Sequence, residues 1–350
     1  MVVDCEIRPF ENCIRKVKYT NKIASQDFKE SGRFPIVSQE ESFISGYWDN
    51  PKDVFYIDGP IVVFGDHSRH IKYVDFDFVI GADGVKILAP VKDVNAKYLY
   101  YYLKGQPIQS LGYSRHYKVL KEKKVPVPSI ADQLRIVDEL DLLTGIIDKK
   151  NAQIRDLDAL AQSIFYEMFG DPDRNEKGWD AKTLKEVCSK LYAGGDVPKE
   201  RFSKQRTSQY TIPILSNGKG ASALYGFTDL PRETSPAITI SGRGTIGYST
   251  VQIKPFYPII RLIVAVPLQD INIIYLQKHL SLMTFESTGG AIPQLTIPMV
   301  KDRHIIVPPL PLQEEYAAKI QSIENQYHRI SMALKDVETL LQSRMDYWFD

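Results

Sequence analysis

The chain has 350 residues, 43% of them hydrophobic, with 44 Lys and Arg against 43 Asp and Glu. This composition predicts a globular protein of about two domains, and a net charge of +1 argues, taken alone, against a nucleic-acid partner, because phosphate binding normally requires excess Lys and Arg. No segment reaches the roughly 20 apolar residues of a membrane helix and the acidic start is unlike a signal peptide, so we expect a cytoplasmic protein without membrane contact.

The first part of the chain, residues 1–128, has the pattern of a mixed α+β domain. Short β-like runs, for example at 60–64 and 76–80, are separated by Gly, Pro, Asn and Asp at short intervals. A helical pattern interrupts these runs near 95–103. The segment closes on a basic cluster and a proline-containing junction, 126–133, with the sequence PVPSIADQ.

A long helix is predicted over the next segment, 129–170. Apolar residues recur every seven positions, with further apolar residues three places on, which is the a/d seam of a coiled coil. The seam residues are Leu140, Leu143, Ile147, Ile154, Leu157 and Ile164. A helix of about 38 residues would be roughly 57 Å long at 1.5 Å per residue.

The rest of the chain repeats this order. Residues 171–308 again combine β-like runs, at 237–240 and 259–266, with a helical pattern near 272–283, and 309–350 form a second long helix. The junction recurs as VPPLPLQ at 307–313, which aligns with VPSIADQ at 127–133. At the same offset, the second seam keeps the register of the first, at Ile320, Ile323, Ile330, Leu334, Val337 and Leu341. The chain is therefore predicted to be two diverged copies of one unit, related by a pseudo-two-fold axis.

The two seams have a strong reason to pack together. Burying each large seam side chain contributes about 1.5 to 3 kcal/mol, and two copies related by a two-fold axis set their helices in opposite directions, so we expect an antiparallel coiled coil. Lys150 and Arg344 occupy seam positions, where they either fix the register or extend to solvent. Further apolar residues flank the seam and would pack on partner helices or on the chain's own domains: Leu142, Ile146, Leu160, Phe165, Leu340, Met345 and Tyr347.

This arrangement resembles the specificity (S) subunit of type I restriction-modification enzymes. The junctions are similar to the family motif Pro-x-Pro-Pro-Leu-x-x-Gln, and the segment GWDAKTLKEV at 178–187 and the turn IPQL at 292–295 add to the likeness. The first junction departs from the motif at Ser129, and the first copy lacks a clear counterpart of IPQL. These departures leave open a related assembly, the recognition subunit of a type IIB enzyme.

The resemblance implies a non-catalytic reader of double-stranded DNA. Residues 1–128 and 171–308 would be two target recognition domains, each binding one half of a split sequence. The helices 129–170 and 309–350 would set the spacing between the halves and dock methyltransferase (M) subunits, usually two, which restriction (R) subunits join. No cofactor is expected on this chain, since S-adenosylmethionine, ATP and Mg²⁺ would lie on the partners.

The charge of each segment agrees with this division. Residues 1–128 carry 19 basic and 16 acidic side chains, and 171–308 carry 17 and 12, whereas the helical segments 129–170 and 309–350 carry 4 and 8, and 4 and 7. Both predicted recognition domains are thus basic and both helices acidic, as expected if only the domains face phosphates.

Candidate DNA contacts are taken from the two basic clusters and from Gly-rich loops, in which Lys and Arg would mainly hold phosphates while a few side chains reach bases. Each also has a plainer interpretation as a solvated surface residue. The candidates are Arg115, His116, Lys118, Lys121, Lys123, Lys124, Lys199, Arg201, Lys204, Arg206, Asn217, Lys219 and Arg243.

Motifs for other functions are weak. The stretch 242–247 reads GRGTIG, but the β-like residues after it favour a hairpin turn over the helix that a dinucleotide site needs. His67 and His70 lack further metal ligands nearby, and Cys5, Cys13 and Cys188 are too scattered for a zinc site or a disulfide framework. We therefore expect no metal site and no catalytic residue. The rival hypotheses are a diverged DNA methyltransferase or nuclease, and an interaction protein that bridges two partners without DNA.

Overall fold

The computed structural model describes residues 5–82, 84–110, 112, 114–285 and 294–349. The chain divides into two compact units. Unit 1 consists of Met1–Ala152 and Ser331–Asp350, and unit 2 of Gln153–Ile330. Each unit therefore contains a complete β-rich region and a part of both long helices. Within the described ranges, no helix is both long and apolar enough to span a membrane.

Unit 1 is built on two small sheets. An antiparallel sheet has the strand order β2-β10-β7-β8, and a mixed sheet has the order β3-β9-β4-β5, with β6 also paired to β9 and with β3 and β4 parallel to β9. The strand β1 pairs with β11. The strands are β1 (Cys5–Pro9), β2 (Ile14–Arg15), β3 (Lys22–Ile23), β4 (Phe34–Val37), β5 (Gly46–Trp48), β6 (Val54–Phe55), β7 (Ile61–Gly65), β8 (Ile71–Val74), β9 (Phe78–Gly81), β10 (Val85–Pro90) and β11 (Lys124–Pro128).

The helices of unit 1 are α1 (Ala96–Gly105), α2 (Tyr117–Lys121), the first part of α3 (Ile130–Phe169) and the end of the second long helix. Strand β7 is buried at every position, because its alternating side chains point to opposite faces and both faces are covered. Val62 and Phe64 pack in the core that contains α1 and the start of α3. Ile61 and Val63 pack in a second core with residues of the mixed sheet.

Unit 2 has the same plan. Its antiparallel sheet has the order β13-β19-β16-β17, a second sheet has the order β15-β14-β18 with β14 parallel to β18, and β12 pairs with β20. The strands are β12 (Asp180–Thr183), β13 (Cys188–Ala193), β14 (Ile212–Leu215), β15 (Leu224–Thr228), β16 (Ala237–Ile240), β17 (Ser249–Gln252), β18 (Tyr257–Pro258), β19 (Ile263–Pro267) and β20 (His304–Val307). The helices are α4 (Ile273–Leu282), α5 (Ile297–Val300) and α6 (Leu310–Phe349), the last of which ends in unit 1. The predicted mixed helix and sheet fold is confirmed.

The glutamine of the junction motif has the same role in both units. Gln133 is fully buried, and its Oε1 accepts a hydrogen bond from the Asn95 N–H at 2.7 Å while its Nε2 donates to the Pro128 carbonyl at 2.9 Å. Gln313 is also fully buried and makes the same two bonds, to the Asn272 N–H at 2.9 Å and to the Pro308 carbonyl at 2.7 Å. Each glutamine thereby joins the start of a long helix to the N-cap residue of the short helix beside it.

A buried tyrosine and the last aromatic residue of a long helix complete each junction. The hydroxyl of Tyr98 donates to the Pro126 carbonyl at 2.7 Å, and that of Tyr275 donates to the Ile306 carbonyl at 2.6 Å. In unit 1 the ring of Phe349, at the end of α6, lies 5.5 Å from that of Tyr98. In unit 2 the ring of Phe169, at the end of α3, lies 4.8 Å from that of Tyr275.

The predicted seam residues are all at least partly buried. Leu140, Leu143, Ile320 and Ile323 are buried, and the rest are half-buried, namely Ile147, Ile154, Leu157, Ile164, Ile330, Leu334, Val337 and Leu341. Tyr327, which continues the same spacing, is 43% exposed.

The flanking apolar residues differ in burial, and Ile146 is half-buried. Phe165 and Met345 are buried in the cores of units 2 and 1 respectively. Leu142, Leu160, Leu340 and Tyr347 remain exposed by 41 to 67%. In addition, Arg344 is not extended to solvent, since its guanidinium forms an ion pair with Glu139 within unit 1.

Candidate nucleic-acid interface

Three loops of unit 1 are fastened to one another, and we call them loop cluster 1: residues 38–45, 65–70 and 114–117. The Ser68 hydroxyl donates to the Gln39 carbonyl at 2.5 Å. Lys72, only 6% exposed, donates through Nζ to the carbonyls of Ser38 at 2.9 Å and Ser42 at 2.6 Å. Burial lowers the pKa of Lys72. Its two hydrogen bonds hold the loop 38–45 against β8.

Asp66 connects the third loop to this cluster. Its side chain, 3% exposed, accepts a hydrogen bond from the Tyr117 N–H at 2.7 Å and lies 3.6 Å from the Lys86 ammonium. His116 is 1% exposed, and its Nδ1 lies 3.0 Å from the Asp66 carbonyl oxygen. The burial of His116 corrects its assignment as a DNA-facing side chain. It supports the loop that carries the exposed Arg115.

A second exposed cation of loop cluster 1 is Arg69, which the sequence-based selection missed. Its φ angle is +67°, its N–H donates to the Gly65 carbonyl at 2.8 Å, and its guanidinium donates to the Ile108 carbonyl at 3.0 Å. A left-handed conformation is uncommon for a residue with a Cβ atom and often marks a functional turn. Only the neighbouring histidines, His67 and His70, drew attention to this stretch in the sequence.

The remaining basic candidates of unit 1 differ in whether their ammonium groups are exposed and free of ion pairs. Lys118 and Lys124 are exposed. Lys121 forms an ion pair with Glu11 at 2.8 Å. Lys123 is half-buried, and burial lowers its pKa. Lys118 and Lys124 are therefore the members of this group with an exposed ammonium and no ion pair among the described residues.

Unit 2 has a corresponding set of loops, which we call loop cluster 2: residues 216–223, 241–248 and 259–262, together with Gln294. Asn217 joins three of its segments. Its Oδ1 accepts from the Gly242 N–H at 2.7 Å and its Nδ2 donates to the Ile260 carbonyl at 2.8 Å. These bonds use one donor and one acceptor of the half-buried amide, so that Asn217 joins the loops, while its role as a base contact stays a prediction.

The turn 259–262 has an unusual backbone. Ile260 and Arg261 have φ angles of +51° and +59°, and the Leu262 N–H donates to the Ile259 carbonyl at 3.0 Å. Two consecutive positive φ angles with this bond are those of a type I′ turn, which normally requires Asn or Gly. The Ile260 N–H donates to the Gly195 carbonyl at 2.9 Å and the Arg261 N–H to that of Gly194 at 3.1 Å.

Close backbone approaches at two glycines make this geometry possible. A Cβ atom on Gly194 would lie 2.7 Å from the Pro258 carbonyl carbon, and one on Gly242 would lie 2.8 Å from the Leu295 carbonyl oxygen. The Leu295 N–H donates to the Gly242 carbonyl at 2.8 Å, and Arg243 forms a β-bridge with Gln294. The described part of the IPQL turn thus lies against the Gly-rich loop, while Ile292 and Pro293 lie outside the described residues.

The other basic candidates of unit 2 differ in exposure and in their contacts. The Arg201 guanidinium forms an ion pair with Asp229 at 2.8 Å, and Lys204 donates to the Tyr225 carbonyl at 3.1 Å with its ammonium 3.5 Å from the centre of the Tyr225 ring. Lys199 and Arg206 are exposed. The Lys219 ammonium lies over the ring of Tyr248, 5.3 Å from its centre, inside loop cluster 2.

The motif GRGTIG lies between the antiparallel strands β16 and β17, so the predicted hairpin is confirmed. No group of three or more His, Cys, Asp or Glu side chains suited to a metal ion occurs among the residues that the structure describes.

Comparison with known proteins identifies a family. The model for the type I restriction modification DNA specificity domain matches residues 14–156 and 176–337. Two proteins of Mycoplasma pneumoniae named as type I specificity subunits are similar, one 27% identical over 73% of this chain and 72% of its own length, the other 28% identical over 73% and 81%. The specificity subunit of the type I restriction enzyme EcoR124I/EcoR124II of Escherichia coli is 25% identical over 51% of this chain and 47% of its own.

A solved structure has the same fold. The crystal structure of the S subunit of a type I restriction-modification system from M. genitalium aligns with a TM-score of 0.61 over 98% of this chain and 96% of that one, at 16% identity. A second structure, described as concerning complex assembly and conformational transition of the type I system, aligns with a TM-score of 0.53 over 98% and 96%, at 15% identity.

Proposed function

Because the chain belongs to the family of type I restriction-modification specificity subunits and carries the DNA specificity domain twice, we propose that each unit reads one half of a bipartite DNA target. We call the junction, the short helix beside it and the antiparallel sheet of each unit its frame. The observation that supports the proposal is that the two units share this frame but attach different loop clusters to it. The junction bonds of Gln133 and Gln313 are the same, whereas the loops attached to the frame differ in sequence and in the side chains that fasten them. Such a division would let two half-sites differ while the frame stays constant.

Electrostatics supports the placement of DNA on the β-rich regions. Residues 1–128 and 171–308 carry net charges of +3 and +5, and the helical segments carry −4 and −3. Phosphates would therefore be attracted to the recognition domains and repelled by the helices. We take these four segments as the functional domains of the chain and place the protein in the cytoplasm, with the host DNA.

The long helices are proposed to pair as an antiparallel coiled coil that sets the distance between half-sites. In unit 1, Glu139 contacts Arg344, and the Arg135 guanidinium lies over the Trp348 ring. Residue numbers therefore increase along α3 in the direction in which they decrease along α6. In unit 2, Phe165 near the end of α3 contacts Tyr316 near the start of α6. Both sets of contacts are those that opposite helix directions require.

Partner subunits are proposed to dock on the helices. Leu142, Leu160, Leu340 and Tyr347 are exposed apolar side chains on α3 and α6, and apolar surface of this kind is typical of protein interfaces. Methyltransferase subunits, usually two, would cover them, and restriction subunits would join that complex. S-adenosylmethionine, ATP and Mg²⁺ would be held by these partners, and this chain would contribute no catalytic residue.

The test is to map methylated positions in the host genome with and without this gene. We expect a bipartite methylated sequence that disappears on deletion, because target choice depends on the recognition domains. Replacing residues 171–308 by those of another family member should change one half of the sequence and leave the other half and the spacing unchanged. Persistence of the methylated sequence after deletion would contradict the proposal.

A further inference from the structure

We infer that Arg243 and Arg261 form a paired guanidinium site that recognises a guanine edge in the half-site read by unit 2. The inference rests on the proposed DNA-recognition function and adds the residues and the base. Arg261 was not selected from the sequence, and Arg243 was selected only as a member of a Gly-rich loop. The structure brings the two side chains together from two separate loops of loop cluster 2.

The two guanidinium groups meet at one neutral acceptor. Arg243 donates through Nη2 to Gln294 Oε1 at 3.2 Å, and Arg261 reaches the same oxygen through Nη1 at 3.5 Å. Among the described residues, neither arginine has a carboxylate within ion-pair distance, unlike Arg201, which is paired with Asp229. In addition, Arg243 Nε is buried and has no hydrogen-bond partner in the described part of the chain. The site therefore combines two positive charges with unused donors.

The backbone beneath Arg261 is held on both sides. The N–H groups of Ile260 and Arg261 donate to the carbonyls of Gly195 and Gly194, and the Ile260 carbonyl accepts from Asn217. Two residues with Cβ atoms at positive φ cost about 1 to 3 kcal/mol each. The strain is not offset by burial of the turn, because Ile260 is 42% exposed. A strained turn that projects an arginine and an isoleucine into solvent is typical of a recognition element.

The backbone of Arg261, held at one place by these bonds, favours a base edge over a phosphate. The rigid fork of an arginine matches both a phosphate and the O6 and N7 atoms of guanine, but only the second contact carries sequence information. Holding a donor fork in one place benefits the second kind of contact. The corresponding segment of unit 1, which follows β9 as this turn follows β18, has the sequence Ala82, Asp83, Gly84 and no cation. The paired arginines thus occur in unit 2 and have no counterpart in this segment of unit 1.

Asn217 is the positioning residue of this site. Its amide joins Gly242, next to Arg243, to Ile260, next to Arg261. Loss of these two bonds would release one loop from the other while both arginines remain. We therefore expect Asn217→Ala to relax the same base position as the arginine variants, and Asn217→Asp, which keeps the acceptor for Gly242, to retain part of the discrimination.

The test uses the full chain in its host together with its partners, with Arg243→Lys and Arg261→Lys mapped by genome-wide methylation. Lysine keeps the charge and removes the fork, so we expect discrimination at one guanine position of one half-site to fall roughly 5- to 150-fold. The other half-site and the spacing should stay as in the wild type. Arg174→Lys is the matched control, because Arg174 lies in unit 2 outside loop cluster 2 and is paired with Asp171 and Glu176.

Two outcomes separate this inference from the proposed function. If the wild-type chain directs methylation to a bipartite sequence and both lysine variants keep every position of it, the guanine contact is refuted and the proposed function stands. A variant that loses methylation uniformly over all sites, with the sequence preference intact, would indicate a phosphate contact and would also overturn the inference. If the wild type directs no bipartite methylation, the proposed function itself fails.

Discussion

Units 1 and 2 have the same frame but different contacts where the long helices meet. In unit 1, Glu139 pairs with Arg344 and accepts a hydrogen bond from the Trp348 indole at 3.1 Å. The equivalent positions of the repeat in unit 2 are Lys319, Ile164 and Met168, the last two of which pack in an apolar cluster with Phe165 and Tyr316. The long helices are therefore joined by ionic contacts in unit 1 and by apolar contacts in unit 2, whereas the junction bonds of Gln133 and Gln313 are common to both.

The two loop clusters are also fastened by different residues. Lys72 fastens the loop 38–45 in unit 1, whereas Asn217 fastens the loop 216–223 in unit 2. Each unit nevertheless presents an exposed arginine from a turn with positive φ, Arg69 in one and Arg261 in the other. An exposed arginine on a turn with positive φ thus occurs in both units, although its position and the residues that support it differ.

The largest effect is expected from removing the aromatic residue that ends each long helix. Phe169 is fully buried against Phe165, Tyr275 and Tyr316, and Phe349, 6% exposed, lies against Tyr98 and Tyr102. Phe169→Ala should destabilise unit 2, and Phe349→Ala should destabilise unit 1, by about 3 to 5 kcal/mol each, with the fully buried residue at the upper end. Hydrogen exchange of the full chain, measured separately in α1 and α4, checks both values.

Leu160 and Leu340 are the matched controls for this pair. They too occupy equivalent positions of the two copies, and they are 47 and 48% exposed. Their replacement by alanine should leave the protection of both units almost unchanged in the free chain. If Phe169→Ala and Phe349→Ala lower protection equally in both units, the frame is not a local property of each unit, and the comparison above breaks down.

The frame was largely predictable from the sequence, whereas the site was not. The recurrence of the junction motif at a constant offset predicted the repeat, and the apolar spacing of seven positions predicted both long helices, since these patterns follow directly from helix geometry. His116 was misassigned because burial by residues remote in the sequence decides which polar side chains are exposed. Arg69 and Arg261 were missed because the identity of a residue other than glycine does not predict a positive φ angle.

An effect of intermediate size is expected from His279, which occupies the place of Tyr102 in the other unit. His279 is fully buried, and its Nε2 accepts a hydrogen bond from the Ile306 N–H at 3.2 Å. Burial lowers the pKa of His279 to about 4. At pH values between about 4 and the unfolded pKa of about 6.5, this imidazole binds a proton in the unfolded chain but not in the folded unit. Unit 2 should therefore lose stability as the pH falls from about 6.5 to 4, by up to about 3 kcal/mol.

His279→Gln tests this pH dependence, because glutamine does not titrate. We expect the stability of unit 2 in the variant to decline less between pH 7 and pH 4.5 than in the wild type, with the decline in unit 1 the same in both proteins. Hydrogen exchange at the two pH values gives both slopes, and the titration of carboxylates cancels in the comparison. Equal slopes in unit 2 would show that the buried histidine does not cause the acid sensitivity.

The smallest effect is expected from the ion pair that distinguishes unit 1. The side chains of Arg344 and Glu139 are 29 and 32% exposed, so that solvent screens much of their attraction, and Arg344→Ile, which copies Ile164 of unit 2, should cost about 0.5 to 1 kcal/mol. The hydrogen bond from Arg344 lowers the pKa of Glu139, so this contribution is present above pH 4.5 and is lost as the pH falls through the lowered value.

The loss should shrink in 1 M salt, where charges on the surface are screened within about 3 Å. Adding Glu139→Gln to Arg344→Ile should recover part of the stability, because the carboxylate is then no longer left without its cation beside the Trp348 indole. Denaturation of the single and double variants at low and high salt measures the coupling between the two residues. A coupling that does not change with salt would mean that shape, not charge, holds α6 in unit 1, as apolar packing does in unit 2.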